Sequence, residues 1–214
     1  DSTNDDITFG AITLATATTL DTNASDTTGD IIIGAVTGAN NNLTLDTTTS
    51  TGSADITFNG DINLGTGALD VTGDVVLGAN VTLTTTKSSG NGIIIRDAIN
   101  ADSASSNDRT LTLNSGTGSA IFVGGTIGNS QALAGLTVTQ STGVSFSGSV
   151  NVSDSSSGTI TLTDTTDGAN ILFAGAVTAD TFVTAAQGYN IFFNDDATFA
   201  NAVTFQNTGT LNLG

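Results

Sequence analysis

The sequence predicts an all-β chain wound as a right-handed parallel β-solenoid of about nine coils, and three observations carry that expectation. A short apolar phrase returns along the whole chain. Its strand signals alternate apolar residues with Thr or Ser at period two. Clusters of Gly, Asn, Asp and Ser punctuate it, while no stretch keeps a helical period with caps.

The phrase is clearest as ADITFNGDINL at 54–64, with variants GDIIIGAVTG at 29–38, AIFVGGTIGN at 120–129 and ANILFAGAVTA at 169–179. Aligned on their apolar triplets, the copies start at Ile7, Ile31, Ile56, Val75, Ile93, Ile121, Val144, Ile171 and Ile191. The intervals run from 18 to 28 residues with a mean of 23, and the Val75 copy is the weakest. A turn and a second apolar position follow most triplets, as in Gly10-Ala11-Ile12, Gly34-Ala35-Val36, Gly60-Asp61-Ile62, Gly125-Thr126-Ile127, Gly148-Ser149-Val150 and Gly175-Ala176-Val177. A further strand lies later in the coil, as at Leu43-Thr44-Leu45, Val81-Thr82-Leu83, Leu111-Thr112-Leu113, Leu136-Thr137-Val138 and Ile160-Thr161-Leu162. Two or three short strands per repeat suit one solenoid coil, whose extra residues can bulge out as loops. The alternative is a set of antiparallel β-sandwich repeats. Against it, only Asn59-Gly60, Asn91-Gly92 and Asp167-Gly168 offer the two-residue turns that hairpins prefer. The whole chain, 1–214, reads as one solenoid domain, a segment or subunit of a longer fibre. It opens on DSTNDD rather than on Met and a leader, which reads as a mature or excised piece.

Composition excludes much chemistry. Cys, Met, Trp, His and Pro are absent, and all 20 acidic residues are Asp. Without His or Cys the chain lacks the commonest general base, the commonest metal ligand and the strongest natural nucleophile. The expectation is that it is not an enzyme. Net charge is −17, with Lys87, Arg96 and Arg109 as its cations, so nucleic acid and anionic membranes would repel it. No apolar run reaches the length of a membrane span, so no membrane insertion is expected. An enzyme of the polysaccharide-lyase kind, with a basic residue beside bound Ca²⁺, is the weaker reading of the three cations, because Arg96 already stands beside Asp97.

Recurring ITFNGDINL and VSFSGSVNV phrases, with LTL strands between and an excess of Thr, Asn, Ser and Gly, resemble the β-strand repeats of large bacterial surface proteins. These are the filamentous-haemagglutinin-like adhesins and autotransporter passengers. The resemblance implies secretion to the cell surface, a β-helical shaft and a role in adhesion, biofilm or the envelope, with no catalytic residues to carry over. The expected function is therefore an extracellular structural protein that forms a filament, surface layer or adhesin shaft by coil-to-coil stacking. Its expected partner is itself, end to end. The alternative is a carbohydrate-binding or adhesive module with a glycan or host-surface receptor; against it, Tyr189 is the single Tyr and the 10 Phe residues mostly sit in strand phase.

One constellation points to a ligand. Asp precedes the triplet in four consecutive copies, as Asp6, Asp30, Asp55 and Asp74. Stacked at the strand spacing, these carboxylates would form a ladder that could accept Ca²⁺, which takes oxygen ligands in loose geometry. The reading favoured over it is a solvated ladder of turn-starting Asp. Later copies place Gly92, Ala120, Gly143, Asn170 and Asn190 there. Two loops, Asp21 to Asp26 and Asp164 to Gly168, echo ion-binding loops but read as turns, since Asp26 stands where an EF-hand needs Gly. Outward Thr pairs such as Thr82 and Thr84, Thr110 and Thr112, and Thr161 and Thr163 resemble ice-binding arrays, but the spread of coil lengths argues against strict register.

Overall fold

Alternation at period two sends every second side chain inward, so a short strand such as Ile31–Ile33 buries its first and third residues and half-exposes its second. The computed structural model describes residues 6–22, 29–48, 54–102, 109–153 and 157–214. Every strand pairing among them is parallel. The chain is a β-solenoid, and the sandwich alternative falls.

The rod has three faces. Face A stacks Ile7–Phe9, Ile31–Ile33, Asp55–Phe58, Asp74–Leu77 and Ile99–Ala101. It continues through single bridges at Ile127 to Val150–Val152, Val177–Ala179 and Ala197–Phe199. Face B stacks eight strands, from Ile12–Thr13 to Thr181–Thr184, and face C nine, from Thr18–Asp21 to Leu211–Leu213. The first and last strands of face C are thus eight turns apart, roughly 38 Å at the usual strand spacing.

Register corrects the repeat. The triplets at Ile7, Ile31, Ile56 and Val75 lie on face A, whereas those at Ile93, Ile121, Val144, Ile171 and Ile191 lie on face C. The face-A partner of Val75 is Ile99, not Ile93, so the 18-residue step is a walk between faces. In-register residues of face A are Ile7, Ile31, Ile56, Val75, Ile99, Ile127, Val150, Val177 and Ala197, at steps of 19 to 28 residues. Val75 belongs to a sound rung, paired on both sides. The 19-residue coil that precedes it is short because Gly73 alone turns the chain from face C to face A. Its φ is 126°, and a Cβ there would meet Thr47 Oγ1 at 2.0 Å.

Coil length varies without disturbing register because extra residues leave at corners. Thr82, Thr112, Thr137 and Thr161 therefore fall in one outward column of face B, despite the length spread that argued against it. Gly135 interrupts the neighbouring column of Thr110, Thr159 and Thr181, and Val183 ends the first.

The core is a set of inward columns. On face C one runs Leu20, Leu45, Val71, Ile95, Val123, Phe146, Phe173, Phe193, Leu213. Phe146, Phe173 and Phe193 stack with ring centroids 5.1 and 5.2 Å apart, and Phe182 meets Phe173 and Phe193 edge-on. Hydroxyls fill the corner between faces B and C in the middle coils. Ser115 Oγ donates to the Ser119 carbonyl at 2.6 Å and Ser119 Oγ returns a bond to the Ser115 carbonyl at 2.7 Å. Ser141 and Thr165 share a bond of 3.1 Å one rung on. Nearer the C-terminal end Tyr189 takes the corner, fully buried, accepting the Ala185 N–H at 3.0 Å and donating to the Leu162 carbonyl at 2.9 Å.

Candidate functional site

The four predicted ligands Asp6, Asp30, Asp55 and Asp74 do form one column along the entry to face A. Asp74 and Asp55 are register partners, and the residues after Asp6, Asp30 and Asp55 pair in turn. Their side chains face the backbone of the following rung. Asp6 Oδ1 accepts the Asp30 N–H at 3.0 Å, Asp30 Oδ1 the Asp55 N–H at 2.9 Å, and Asp74 Oδ1 the Ala98 N–H at 3.0 Å. The column continues through Ala98, Thr126, Ser149, Ala176 and Asp196, because each carbonyl there accepts from the first face-A residue of the preceding rung. The positions given to it from sequence, Gly92, Ala120, Gly143, Asn170 and Asn190, belong to the entry of face C instead.

Partial burial, and then the like charges of Asp30 and Asp74, push the Asp55 carboxyl above the usual carboxylate range. Asp55 and Asp74 border a polar hollow of about 480 Å³ with Asn100, Asp102, Ser130 and Gln131. Among the described residues no group of three or more acids is arranged to hold a metal ion. The Asp21 to Asp26 loop lies largely outside the described residues. Of the Asp164 to Gly168 segment, Asp164 and Thr165 end the strand Thr159–Thr165, where Gln140 holds Asp164 at 3.2 Å. Asp167-Gly168 is a turn, in which Asp167 Oδ1 accepts the Gly188 N–H at 3.0 Å.

Among the described residues both arginines are tied to acids and Lys87 to a backbone carbonyl. Arg96 bonds Asp70 at 2.8 Å, across the rung, while its sequence neighbour Asp97 accepts the Gly73 N–H at 2.8 Å. Arg109 bonds Asp102 at 2.6 Å, and Lys87 Nζ donates to the Asn91 carbonyl at 3.3 Å.

A second hollow lies on the outer surface of face C. The outward positions of face C run Thr19, Thr44, Asp70, Ile94, Phe122, Ser145, Leu172, Phe192 and Asn212. Five consecutive rungs thus present Ile94, Phe122, Ser145, Leu172 and Phe192, all half-buried, and the small Ser145 leaves a notch. Gly143 and Ala120 widen it sideways, giving a groove of about 570 Å³ between Phe122 and Leu172, with Phe192 beyond. Asn91, Thr142 and Asn194 stand along its rim. The signal was available: the middle residue of each triplet III, IFV, VSF, ILF and IFF faces outward, so Phe122 and Phe192 are not core.

A scan against protein-family models found no match, and searches of curated proteins and of solved structures found no similar chain.

Proposed function

We propose that this chain is a non-enzymatic structural unit of an extracellular filament, surface layer or adhesin shaft, extended by stacking of rungs between copies. The observation that carries the reading is the continuous parallel ladder of face C, nine strands deep with one register shift at Asn91/Ile93, whose two outer rungs each keep one edge unpaired among the described residues. Apolar side chains accompany those edges. Phe9 is 48% exposed at one end of the rod, and Leu211 and Leu213 are 37% and 66% exposed at the other. Ile7, Ile12 and Leu20 are only partly covered at the first end, as are Val203 and Phe205 at the second. An exposed strand edge with apolar columns behind it is a template for a further strand, and side chains of the next rung would continue columns already in place. The acidic exterior, with a net charge of −17, would keep laterally adjacent rods apart while leaving the axis free to stack. Secretion is supported by the strand-repeat resemblance, not by any cysteine pattern.

Electron micrographs of purified protein should show rods of constant width whose length grows with concentration. Leu213→Lys places a charge on the terminal edge and should cap growth, giving short particles of native circular dichroism. Particles that stay one chain long at high concentration in both proteins would overturn the reading.

A further inference from the structure

The groove on face C has no part in axial stacking, and its chemistry differs from that of the rest of the surface. In a chain of net charge −17, no Asp, Lys or Arg lines it. Its walls are the apolar side chains of Phe122, Leu172 and Phe192, and its floor is Ser145 and Gly143. A neutral, partly apolar guest suits such a site, whereas a cation, a phosphate or a charged peptide would find no counter-charge in it.

The rim narrows the class further. Several Asn side chains elsewhere on the rod are engaged by the next rung: Asn40 accepts the Thr66 N–H, Asn42 that of Ala68, Asn80 that of Thr110 and Asn100 that of Ser130, at 2.9 to 3.0 Å. Within the groove Asn170 accepts from the Asn190 amide at 3.0 Å. At the groove the side chains of Asn91, Asn194, Thr142 and Ser145 form no hydrogen bond within the described residues. Amides and hydroxyls both donate and accept, which matches a ligand whose edge carries many hydroxyls. Phe122 and Leu172 are two rungs apart, about 9–10 Å between backbones, so one ring-thick layer over Ser145 lies about 4.8 Å from each wall.

We propose that this groove binds a neutral oligosaccharide, with one sugar ring seated over Ser145 between Phe122 and Leu172. The ring's C–H faces cover the two apolar walls, and its hydroxyl edge meets Thr142, which stands on the rung of Ser145. The glycan leaves the notch across face C, in the plane of the seated ring, and a stacked filament would present the site once per copy. This goes beyond the shaft function and does not depend on it, since a rod that never polymerises keeps the groove.

The test is a titration of the full chain, followed by amide NMR, with cellohexaose, maltohexaose and chitohexaose, and with hexagalacturonate as a charged probe. At least one neutral hexamer should give saturable shifts confined to residues around Ser145, and the charged one none. Ser145→Phe continues the apolar stripe of its neighbours and fills the notch, so it should fold normally and abolish those shifts. Phe122→Ala should weaken binding about tenfold or more. No saturable shift with any neutral hexamer would overturn the proposal, as would unchanged binding by Ser145→Phe. Shifts in the same residues on raising protein concentration alone would overturn it too, by making the groove a contact between copies.

Discussion

The first coils and the last coils of the rod solve one problem with opposite corners. In the first two coils the longer connections in sequence join faces C and A, 22–30 and 47–54, and the chain turns tightly from A to B through Gly10-Ala11, Gly34-Ala35 and Asn59-Gly60. From the sixth coil onward the chain turns tightly from C to A, through Gly125, Gly148 and Gly175. Residues 128–134 and 153–158 span from A to B, until Asp180 alone makes that turn between Val177–Ala179 and Thr181–Thr184. The Gly-x-apolar phrase therefore marks a tight corner, not a particular face. The interiors differ too: apart from the buried Phe58, the columns of the early coils are aliphatic, while six Phe rings meet in the late ones. A solenoid needs only that each inward column stay filled and each rung stay in register, so corner and side-chain type can change along the rod.

The glycines break the comparison most sharply. A Cβ on Gly148 would lie 2.5 Å from the Gly125 carbonyl oxygen, and one on Gly34 or Gly60 2.7 Å from the backbone of the preceding rung, whereas one on Gly10, in the first rung, meets nothing within 4 Å. Gly148→Val should lose at least about 3 kcal/mol and fail to give a cooperative melt, while Gly10→Val should melt within a few degrees of the parent. Thermal circular dichroism of the pair checks this, and equal effects would mean that the late corner can open.

The two halves of the face-C column give the next contrast. Phe173→Ala removes the middle ring of the stack and should cost about 3–5 kcal/mol, against about 2 kcal/mol for Val71→Ala in the aliphatic half, by urea denaturation. Tyr189→Phe keeps the ring and leaves the Ala185 N–H bonded to the Leu162 carbonyl at 2.9 Å, so losing the hydroxyl should cost only about 0.5–1.5 kcal/mol. Burial first, with a smaller push from Asp164, holds the Tyr189 phenol above its ordinary range. It should therefore stay protonated when the protein is titrated through the pH at which free tyrosine ionises, read from its ultraviolet difference spectrum.

The smallest effect concerns the acidic column, which belongs to the early half. Folding raises the Asp55 pKa, so the folded chain holds this proton to higher pH than the unfolded chain does. Its contribution to stability thus increases as pH falls from neutral through the raised value, and levels off below the ordinary Asp value of about 3.9. The melting temperature should rise over that window. Asp55→Asn should raise it slightly at pH 7 and flatten the slope. A melting temperature that climbs with added Ca²⁺ at pH 7, and no longer does so in Asp55→Asn, would return the column to the role of an ion ladder.

The apolar triplets and the Thr alternation were sufficient to read an all-β solenoid, because period-two patterning is local and each strand carries it alone. The alignment of Asp6, Asp30, Asp55 and Asp74 was legible for the same reason, since each stands directly before its strand. The face each triplet occupies was not legible. The phrases at 54–64 and 169–179 read alike, yet one begins on face A and the other on face C, because a tight corner demands the same Gly wherever it stands. The groove lay in the outward residues of triplets that look uniformly apolar, and only the stacked rungs bring Phe122, Ser145 and Leu172 side by side. Sequence determined which residues alternate and where the chain can turn. Tertiary structure decided which rung meets which, because parallel register is set by closing each coil against its neighbours, a contact made about two dozen residues away.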